Sequence, residues 1–504
     1  MIRELFERYV LRKPIWEERY FIPIVISMAV LSMLISLAIG LQQSVWFDEA
    51  YSIMLAKQSI GQLLHLTSLD THPPLYYLLL KGWASLFGWS EFALRSLSVL
   101  ALGGAVAFAG LTVRRMFNAR AALMILPFVA FAPFLLRYGF EVRMYALASF
   151  IGIAATYVLI SALETKDKDK KWKMFSLYSV LLALGVYTLY YIAVLWIAHV
   201  VWLFWRTRGD KQPLFKQPWA LAIGGAAVLF LPWLPTFVSQ LTNGALAPIS
   251  QPLTMDNLTG IISFMFTYQA SWQLTGLLSL IILFVIIVVT YLSVRAFSMV
   301  SAKQKNYLVL LALYGLVPIA IVALISLVRP MYVERYLAHV LIGVYLYIGA
   351  VVWLGTQKAS KCLQAAGAGV FVVLLIGIMQ LVQVGNYNFQ RLQTPAVKEV
   401  ARTVGECSRD QTVLAADPYT AIELAYYLPS CEIRFYSEWA TLRGGYAPLS
   451  ESPLQVKNPA EELRGSKRLI YVYYDTPQLS MPPALHRVAE QAVGPLHVDT
   501  FSAE

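Results

Sequence analysis

The stretch FIPIVISMAVLSMLISLAIGL, residues 21–41, followed by VWFDEAYS, residues 45–52, decides how this chain folds. The first part carries no charge, and about 20 apolar residues suffice to cross a bilayer core of about 30 Å as a helix. The second part places the carboxyl groups of Asp48 and Glu49 among aromatic residues, where the chain leaves the membrane. Ionisable groups at a membrane edge cost solvation energy and commonly have a function. We therefore expect the rest of the chain to hold Asp48 and Glu49 at a boundary between water and lipid.

The composition extends this apolar pattern over most of the 504 residues, of which 58% are hydrophobic and 14% are charged. Soluble domains average about 25% charged residues, so the chain is predicted to be a polytopic, all-α membrane protein. Further apolar runs lie at about 96–113, 121–136, 144–163, 174–205, 218–238, 274–294, 307–328, 337–356 and 363–383.

The run at 174–205 has basic residues on both sides and is too long for one ordinary span. We therefore predict a helical hairpin that turns near Tyr187–Tyr191. With that hairpin the runs give about eleven transmembrane helices, each about 20 residues long.

The basic residues indicate the orientation of these helices. Lys and Arg are concentrated in alternate short loops, which the positive-inside rule assigns to the cytoplasm. Residues 1–20 are predicted to form a cytoplasmic amphipathic segment, which places the loop 42–92 outside after the first span. The odd number of spans places the tail 384–504 outside as well. The same loops account for the net charge of +11, so nucleic-acid binding is not expected. Basic inner loops and the lack of large insertions suit a bacterial inner membrane.

The tail 384–504 differs in character from the transmembrane domain, which we predict at 21–383. It is charged and contains strand-like runs with a helix-like segment between the first two. This alternation predicts a small extracytoplasmic α/β domain. The strand-like runs are Gln411–Ala416, Glu432–Tyr436 and Arg468–Tyr474, and the helix-like segment is Tyr419–Leu428.

Two of the three cysteines, Cys407 and Cys431, lie in this tail. Exported compartments permit disulfides, so a bridge between Cys407 and Cys431 is our hypothesis for the domain.

The loop 42–92 contains a second polar motif, LDTHPPLYY at residues 69–77. Paired prolines fix the backbone and disfavour helix directly before them, so Asp70 and His72 are expected in a rigid corner. A helix that carries Tyr76 and Lys81 is expected to follow.

Structural roles are the alternatives for this loop. Asp70 can cap the helix after the prolines, His72 can hydrogen-bond within the loop, and Asp48 can be the N-cap of a helix over Glu49–Leu64.

Two further corners that are predicted to lie outside also carry charge. RYGFEVRMY, residues 137–145, contains Arg137, Glu141 and Arg143 in a turn that has no folding need for three charges. Pairing of Glu141 with Arg143 is the structural alternative.

RPMYVERY, residues 329–336, ends in Arg335 and Tyr336 directly before an apolar run. Arginine presents a planar fork of donors that matches phosphate oxygens, and a carboxylate can accept the proton of a hydroxyl group. A sugar joined to a lipid phosphate would use both kinds of side chain. We therefore expect residues 48, 141, 143 and 335 to converge on one cavity.

Together, the acidic pair after the first span, the Asp-x-His-Pro-Pro-Leu corner that ends in Lys, and the Glu-x-Arg-x-Tyr corner after the third span resemble the GT-C membrane glycosyltransferases. The resemblance covers residues 20–350 and concerns the branch of the protein O-mannosyltransferases, the lipid A aminoarabinose transferases and the lipopolysaccharide-core sugar transferases. It implies inverting transfer of a sugar from a polyprenyl phosphate, undecaprenyl phosphate in a bacterium, to a hydroxyl of a cell-envelope lipid, glycan or protein on the outer face.

The resemblance also implies roles for the matching residues. Asp48 matches the expected general base, and Glu141 matches an acid that orients the acceptor or shares the base role. Arg143 and Arg335 match positions near the donor phosphate, where Lys81 and Arg137 are further candidates. The candidates for contacts with the sugar or the acceptor are Glu49, Tyr51, Asp70, His72 and Tyr76.

No general acid is obligatory, because a phosphate is already a good leaving group, and no cofactor is expected to be required. A divalent metal ion held by Asp48, Glu49 and His72 is a weaker alternative.

Two other functional classes compete with the enzyme. A transporter or flippase of lipid-linked sugars would show internal repeats, which the sequence lacks, and a non-catalytic subunit for envelope assembly would use the tail as its functional part.

Overall fold

The structure is a computed structural model that describes residues 14–209, 213–242, 254–267, 276–384, 396–408, 410–436, 449, 454–463, 467–474, 476–477, 479 and 481–503. The chain divides into two compact units. We call Met1–Ala38, Arg95–Leu234 and Pro248–Gln383 the helical unit, and Ile39–Leu94, Pro235–Ala247 and Val384–Glu504 the α/β unit. Residues 1–13 of the predicted amphipathic segment lie outside the described residues.

Helices make up nearly all of the described chain before the tail. They are α1 Pro14–Leu41, α2 Phe47–Lys57, α3 Ile60–Leu69, α4 Leu75–Phe87, α5 Glu91–Met116, α6 Ala119–Ile125, α7 Pro127–Ala130, α8 Pro133–Gly139, α9 Tyr145–Glu164, α10 Lys168–Thr188, α11 Ile192–Thr207, α12 Pro218–Phe230, α13 Leu234–Thr242, α14 Met255–Phe266, α15 Gly276–Met299, α16 Ala302–Ser326, α17 Ala338–Thr356 and α18 Lys361–Val384.

Eight of the described helices are long and apolar enough to cross a membrane, or nine spans if the bent pair from Ala119 to Gly139 counts as one. The predicted polytopic fold is thereby confirmed, and the chain is an integral membrane protein. The predicted hairpin is present as α10 and α11, which are separated by residues 189–191. Neither belongs to the eight, because α10 begins with a charged turn and α11 has only 16 residues.

The bent pair is important because its second half, α8, leads into the charged corner at 137–145. The two halves meet at 63°, and α8 begins at Pro133. Proline has no N–H and its ring clashes with the carbonyl four residues earlier, so a helix cannot continue through this position without a kink or break. The break frees backbone carbonyls at the end of α7, and the end of α8 at Gly139 frees others. Such carbonyls would lack a partner in lipid.

Two buried serines of α1 serve these carbonyls. Ser36 Oγ donates to the carbonyl of Leu136 at 2.7 Å. Ser32 Oγ lies 2.8 Å from the carbonyl oxygen of Ala130 and 2.9 Å from that of Met28 in its own helix. The first transmembrane helix therefore stabilises the ends of α7 and α8, the two short helices that precede the charged corner.

The tail of the α/β unit has a six-stranded sheet among its described residues, in the order β3-β2-β1-β4-β6-β5. Strands β1 to β4 pair in parallel, and β5 and β6 are antiparallel. The elements are α19 Ala396–Val404, β1 Gln411–Ala415, α20 Pro418–Tyr427, β2 Glu432–Tyr436, β3 Gln455–Val456, α21 Pro459–Glu462, β4 Arg468–Tyr474, β5 His486–Val493 and β6 Leu496–Ser502. The three predicted strands and the predicted helix are all present.

Helices α19 and α20 cover one face of this sheet. Val397, Val400 and Leu424 from the helices pack with buried strand residues such as Val413 and Phe435. A disulfide joins Cys407 to Cys431, which both pack against this core. The structure groups the first loop with the tail, because α2, α3 and α4 belong to the α/β unit.

We predict that Ser36→Ala lowers the free energy of unfolding by about 1 kcal/mol, as expected for a hydrogen bond between membrane helices. Chemical unfolding in detergent measures the change. Ser293→Ala is the matched control, because Ser293 Oγ donates to Val289 within α15, and its loss strands no helix end. Equal effects of the two substitutions would contradict the proposed role of Ser36.

Candidate active site

The acidic pair lies in the first turn of α2, which begins at Phe47 after an extended Trp46. The N–H of Trp46 donates to Glu49 Oε2 at 3.3 Å, and the N–H of Ala50 donates to the Trp46 carbonyl at 2.8 Å. Negative side chains near the positive end of a helix are stabilised by its dipole. Both Asp48 and Glu49 are buried, with 3% and 0% of their surface exposed.

These contacts rule out the structural alternative for Asp48, in which it is the N-cap of a helix over Glu49–Leu64. The N-cap of α2 is Trp46 rather than Asp48, and the helix ends at Lys57 instead of continuing to Leu64. The helix ends there because Ser59 is the N-cap of the next helix, and its side chain accepts from the N–H of Gln62 at 3.3 Å. Since Glu49 has the capping role, Asp48 is the carboxylate of the pair with the stronger case for chemistry.

The Asp-x-His-Pro-Pro corner is buried and internally bonded. Asp70 Oδ1 accepts from the N–H of Thr71 at 2.5 Å, and Asp70 Oδ2 lies 3.5 Å from the hydroxyl of Tyr77. Gln240 Nε2 donates to the Asp70 carbonyl at 2.7 Å. The N-cap of α4 is Pro74, so Asp70 does not have the predicted capping position and instead orders the corner.

Three other candidates of the first loop, Tyr51, His72 and Tyr76, are buried in the same unit.

Lys81 on α4 has a structural contact. Its ammonium donates to the carbonyl of Gln58 at 2.7 Å and to that of Ala56 at 3.3 Å. Cations at a helix C-terminus satisfy its terminal carbonyls, so Lys81 fixes the end of α2, and this contact favours a structural role over phosphate binding.

In the helical unit, Glu141 forms a buried ion pair with Arg137. Arg137 Nη1 lies 2.9 Å from Glu141 Oε2, with 2% and 0% of the side chains exposed. The guanidinium of Arg137 also lies over the rings of Tyr138 and Phe140, 5.2 and 5.0 Å from their centroids. This ion pair joins residues four apart in the sequence.

Arg143 is buried and follows Glu141 in a tight turn. Its N–H donates to the Glu141 carbonyl at 2.6 Å, and its own carbonyl lies 3.4 Å from Ser98 Oγ on α5. These contacts hold the backbone on both sides of the Arg143 side chain.

The corners at 137–145 and 329–336 meet through Tyr145. Arg335 Nε donates to Tyr145 Oη at 3.0 Å. The ring of Tyr145 lies between those of Tyr138 and Tyr336, with centroids 5.6 and 6.1 Å away. The structure therefore brings Glu141, Arg143 and Arg335 into one region of the helical unit. Asp48 belongs to the α/β unit, and its convergence with this region stays a prediction.

Tyrosines border this region, and sequence reasoning did not assign them. Tyr191 packs on Tyr336 at 5.0 Å between centroids and donates to the carbonyl of Met331. Burial raises the pKa of the Tyr191 and Tyr332 hydroxyls above the usual range, so both stay protonated as hydrogen-bond donors. In the sequence, these tyrosines could have been found from one feature: each charged corner ends in a tyrosine, Tyr145 in the first and Tyr336 in the second.

In the described part of the chain, no three His, Cys, Asp or Glu side chains are grouped so that they could hold a metal ion. The alternative with Asp48, Glu49 and His72 as ligands therefore finds no support in these residues.

We predict that Arg137→Met and Glu141→Leu each destabilise the protein by about 3 kcal/mol or more, because each leaves an uncompensated buried charge. The double variant Arg137→Met/Glu141→Leu is expected to lose less free energy of unfolding than the sum of the two single losses. Unfolding of the four proteins in detergent gives this double-mutant cycle. Strictly additive effects would show that the pair is not coupled.

The chain was compared with known proteins and families. A family model described as dolichyl-phosphate-mannose-protein mannosyltransferase matches residues 71–235, about a third of the chain. No curated protein sequence gives a significant match.

Solved structures share the fold over nearly the whole chain at low identity. ArnT from Cupriavidus metallidurans in the apo state is 13% identical and aligns over 94% of this chain and 97% of that one, with a TM-score of 0.61. ArnT bound to undecaprenyl phosphate aligns over the same shares at 12% identity, with a TM-score of 0.60. The oligosaccharyltransferase AglB from Archaeoglobus fulgidus, in complex with an inhibitory peptide and a dolichol-phosphate, is 14% identical over 90% of this chain and 70% of that one, with a TM-score of 0.50. The chain therefore has the fold of the GT-C membrane glycosyltransferases, which confirms the resemblance indicated by its motifs.

Proposed function

We propose that this protein is an inverting glycosyltransferase that moves a sugar from a polyprenyl-phosphate donor to a hydroxyl group of a cell-envelope acceptor. The observation that carries the proposal is the buried group of Arg143, Glu141 and Arg137, joined through Tyr145 to Arg335. It lies in a chain whose fold is shared with a protein solved with undecaprenyl phosphate and another solved with dolichol-phosphate. We further propose a bacterial cell membrane, with the site and the tail outside the cytoplasm.

Arg143 and Arg335 are proposed to bind the donor phosphate. A guanidinium group presents two parallel N–H donors to phosphate oxygens, and Tyr145 holds the Arg335 group by its Nε atom. The negative charge on the phosphate grows as the bond to the sugar breaks, so fixed cations stabilise the transition state more than the bound donor. Arg137, which is paired with Glu141, is proposed to hold that carboxylate toward the acceptor.

Asp48 is proposed to be the general base. The acceptor hydroxyl loses its proton to the Asp48 carboxylate while its oxygen attacks the anomeric carbon. The bond between that carbon and the phosphate oxygen breaks on the opposite face, and its electron pair leaves with the phosphate. One displacement of this kind inverts the anomeric configuration. The sugar and the acceptor are proposed to contact the polar residues of the first loop, which are Glu49, Tyr51, Asp70, His72 and Tyr76.

We predict that Asp48→Asn lowers the rate of transfer by about 10²–10⁴-fold, the usual contribution of a positioned base, and leaves donor binding unchanged. Purified protein is incubated with polyprenyl-phosphate sugars and candidate acceptors, and the release of polyprenyl phosphate is measured. Asp169→Asn is the matched control, because Asp169 is an exposed acid in the first turn of α10.

Transfer by Asp48→Asn within a few-fold of wild type would remove Asp48 from the base role. Movement of intact donor across the bilayer without its cleavage would favour a transporter over the proposed enzyme.

We predict that Arg335→Lys raises the KM for the donor and lowers kcat, since it keeps the charge but loses the planar fork and the bond to Tyr145. The combined loss in kcat/KM is expected to be about tenfold or more, equivalent to about 1.4 kcal/mol. Arg329→Lys, in the same corner, is expected to stay within about twofold of wild type. Equal effects of the two substitutions would show that Arg335 has no special role.

A further inference from the structure

A tyrosine hydroxyl of the tail contacts the backbone just before α2, the helix that carries Asp48 and Glu49. The N–H of Val45, two residues before α2, donates to Tyr427 Oη at 2.6 Å. Tyr427 Oη in turn donates to Glu91 Oε1 at 2.9 Å, and Lys398 Nζ donates to the same oxygen at 2.8 Å. All four residues belong to the α/β unit. The carboxylate of Glu91 therefore holds the hydroxyl of Tyr427 in place, and this hydroxyl in turn holds the backbone of the first loop at Val45.

Helix α20 holds the first loop at both of its ends. At its beginning, the ring of Tyr419 meets the ring of Phe47, the first residue of α2, edge to face at 4.5 Å between centroids. At its end, Tyr426 Oη donates to the carbonyl of Trp89 at 3.0 Å, beside the contact of Tyr427 with Val45. These bonds join parts of the chain that are more than 330 residues apart, and they define where the first turn of α2 begins.

The two helices that supply this network are themselves tied together. Lys398 lies on α19 and Tyr427 lies on α20. The disulfide links Cys407, just after α19, to Cys431, whose N–H donates to the carbonyl of Leu428 at the end of α20. The core of the tail and this bridge thus present Lys398 and Tyr427 as one rigid surface to Glu91 and Val45.

We propose that Tyr427 is a positioning residue for Asp48, and that the tail sets the place of the catalytic carboxylate through it. The inference rests on the proposed function, because it takes Asp48 as the base. Asp48 lies three residues after Val45, in the first turn of a helix whose start is fixed by this contact. Reacting groups must be held within a fraction of an ångström, and a misplacement of about 1 Å can cost about 10²-fold in rate.

The test compares Tyr427→Phe with the wild type in the full-length protein. The substitution removes only the hydroxyl that accepts from Val45 and donates to Glu91. Tyr473→Phe is the matched control, because it removes another tyrosine hydroxyl of the tail, one that donates to Asp499 at 3.2 Å. Two quantities are measured: the kinetics of donor cleavage, and amide hydrogen exchange at residues 45–49.

We expect Tyr427→Phe to lower kcat by about tenfold or more while the KM for the donor stays within about twofold. Amide exchange at residues 45–49 is expected to become faster, and Tyr473→Phe is expected to change neither quantity. An unchanged kcat, or unchanged exchange at residues 45–49, would overturn the inference. A parallel rise of exchange throughout the tail would also overturn it, because it would indicate a general loss of folding.

A second variant keeps the inference testable if Tyr427→Phe does not fold. Lys398→Met leaves the hydroxyl of Tyr427 in place and removes the cation that holds Glu91, so a smaller change in the same direction is expected. No change in exchange at residues 45–49 in this variant would count against the network. The exchange measurement does not depend on the assignment of Asp48. Wild-type transfer by Asp48→Asn would therefore refute the proposed base, while exchange would still decide whether Tyr427 holds the segment.

Discussion

A backbone carbonyl that is freed inside a bilayer must find a donor, and the candidate phosphate site of this protein depends on that constraint. The break at Pro133 ends one helix and starts another at a sharp angle. Serines on α1 donate to the carbonyls near the break, so the chain can turn inside the membrane unit at tolerable cost. The break also sets the direction of the short helix α8, which carries Arg137 and leads into the corner with Glu141 and Arg143.

Burial of charge is the second constraint. Removing an ion pair from water costs more than its attraction returns unless the geometry is good and further contacts help. The pair of Arg137 and Glu141 is completed by the rings of Tyr138 and Phe140 beneath the guanidinium. The guanidinium of Arg335 likewise donates to a phenol oxygen, that of Tyr145. Such an arrangement gives up some stability for a preorganised electrostatic environment.

Sequence patterns were sufficient for the membrane fold and for part of the tail. The strands Gln411–Ala415 and Arg468–Tyr474 were predictable because they are short, apolar and rich in β-formers. The strand His486–Val493 was missed, since nearly all its residues are exposed and it shows no alternation. The break after Lys57 was also missed, although Ser59 followed three residues later by Gln62 is a capping signal.

The grouping of Glu141, Arg143 and Arg335 follows from the predicted corners, but the bonds among the site residues were not predictable. The spacing of four between Arg137 and Glu141 is visible in the sequence and suits a helical ion pair, whereas the helix after Asp48 gave no sign that Trp46 would be its cap. Contacts such as that of Val45 with Tyr427 join positions 382 residues apart. No local pattern encodes them, because they arise only when a distant segment folds against the loop.

The α/β unit is assembled from an early, a middle and a late stretch of the polypeptide. Because a ribosome delivers residues in order and domains fold as their segments emerge, the helix with Asp48 is made long before the tyrosine that holds it. A nascent or prematurely terminated chain thus inserts its spans without a fixed carboxylate. Under the proposed function, an unfinished chain would lack the contact of Tyr427 with Val45 and would therefore not consume lipid-linked sugars.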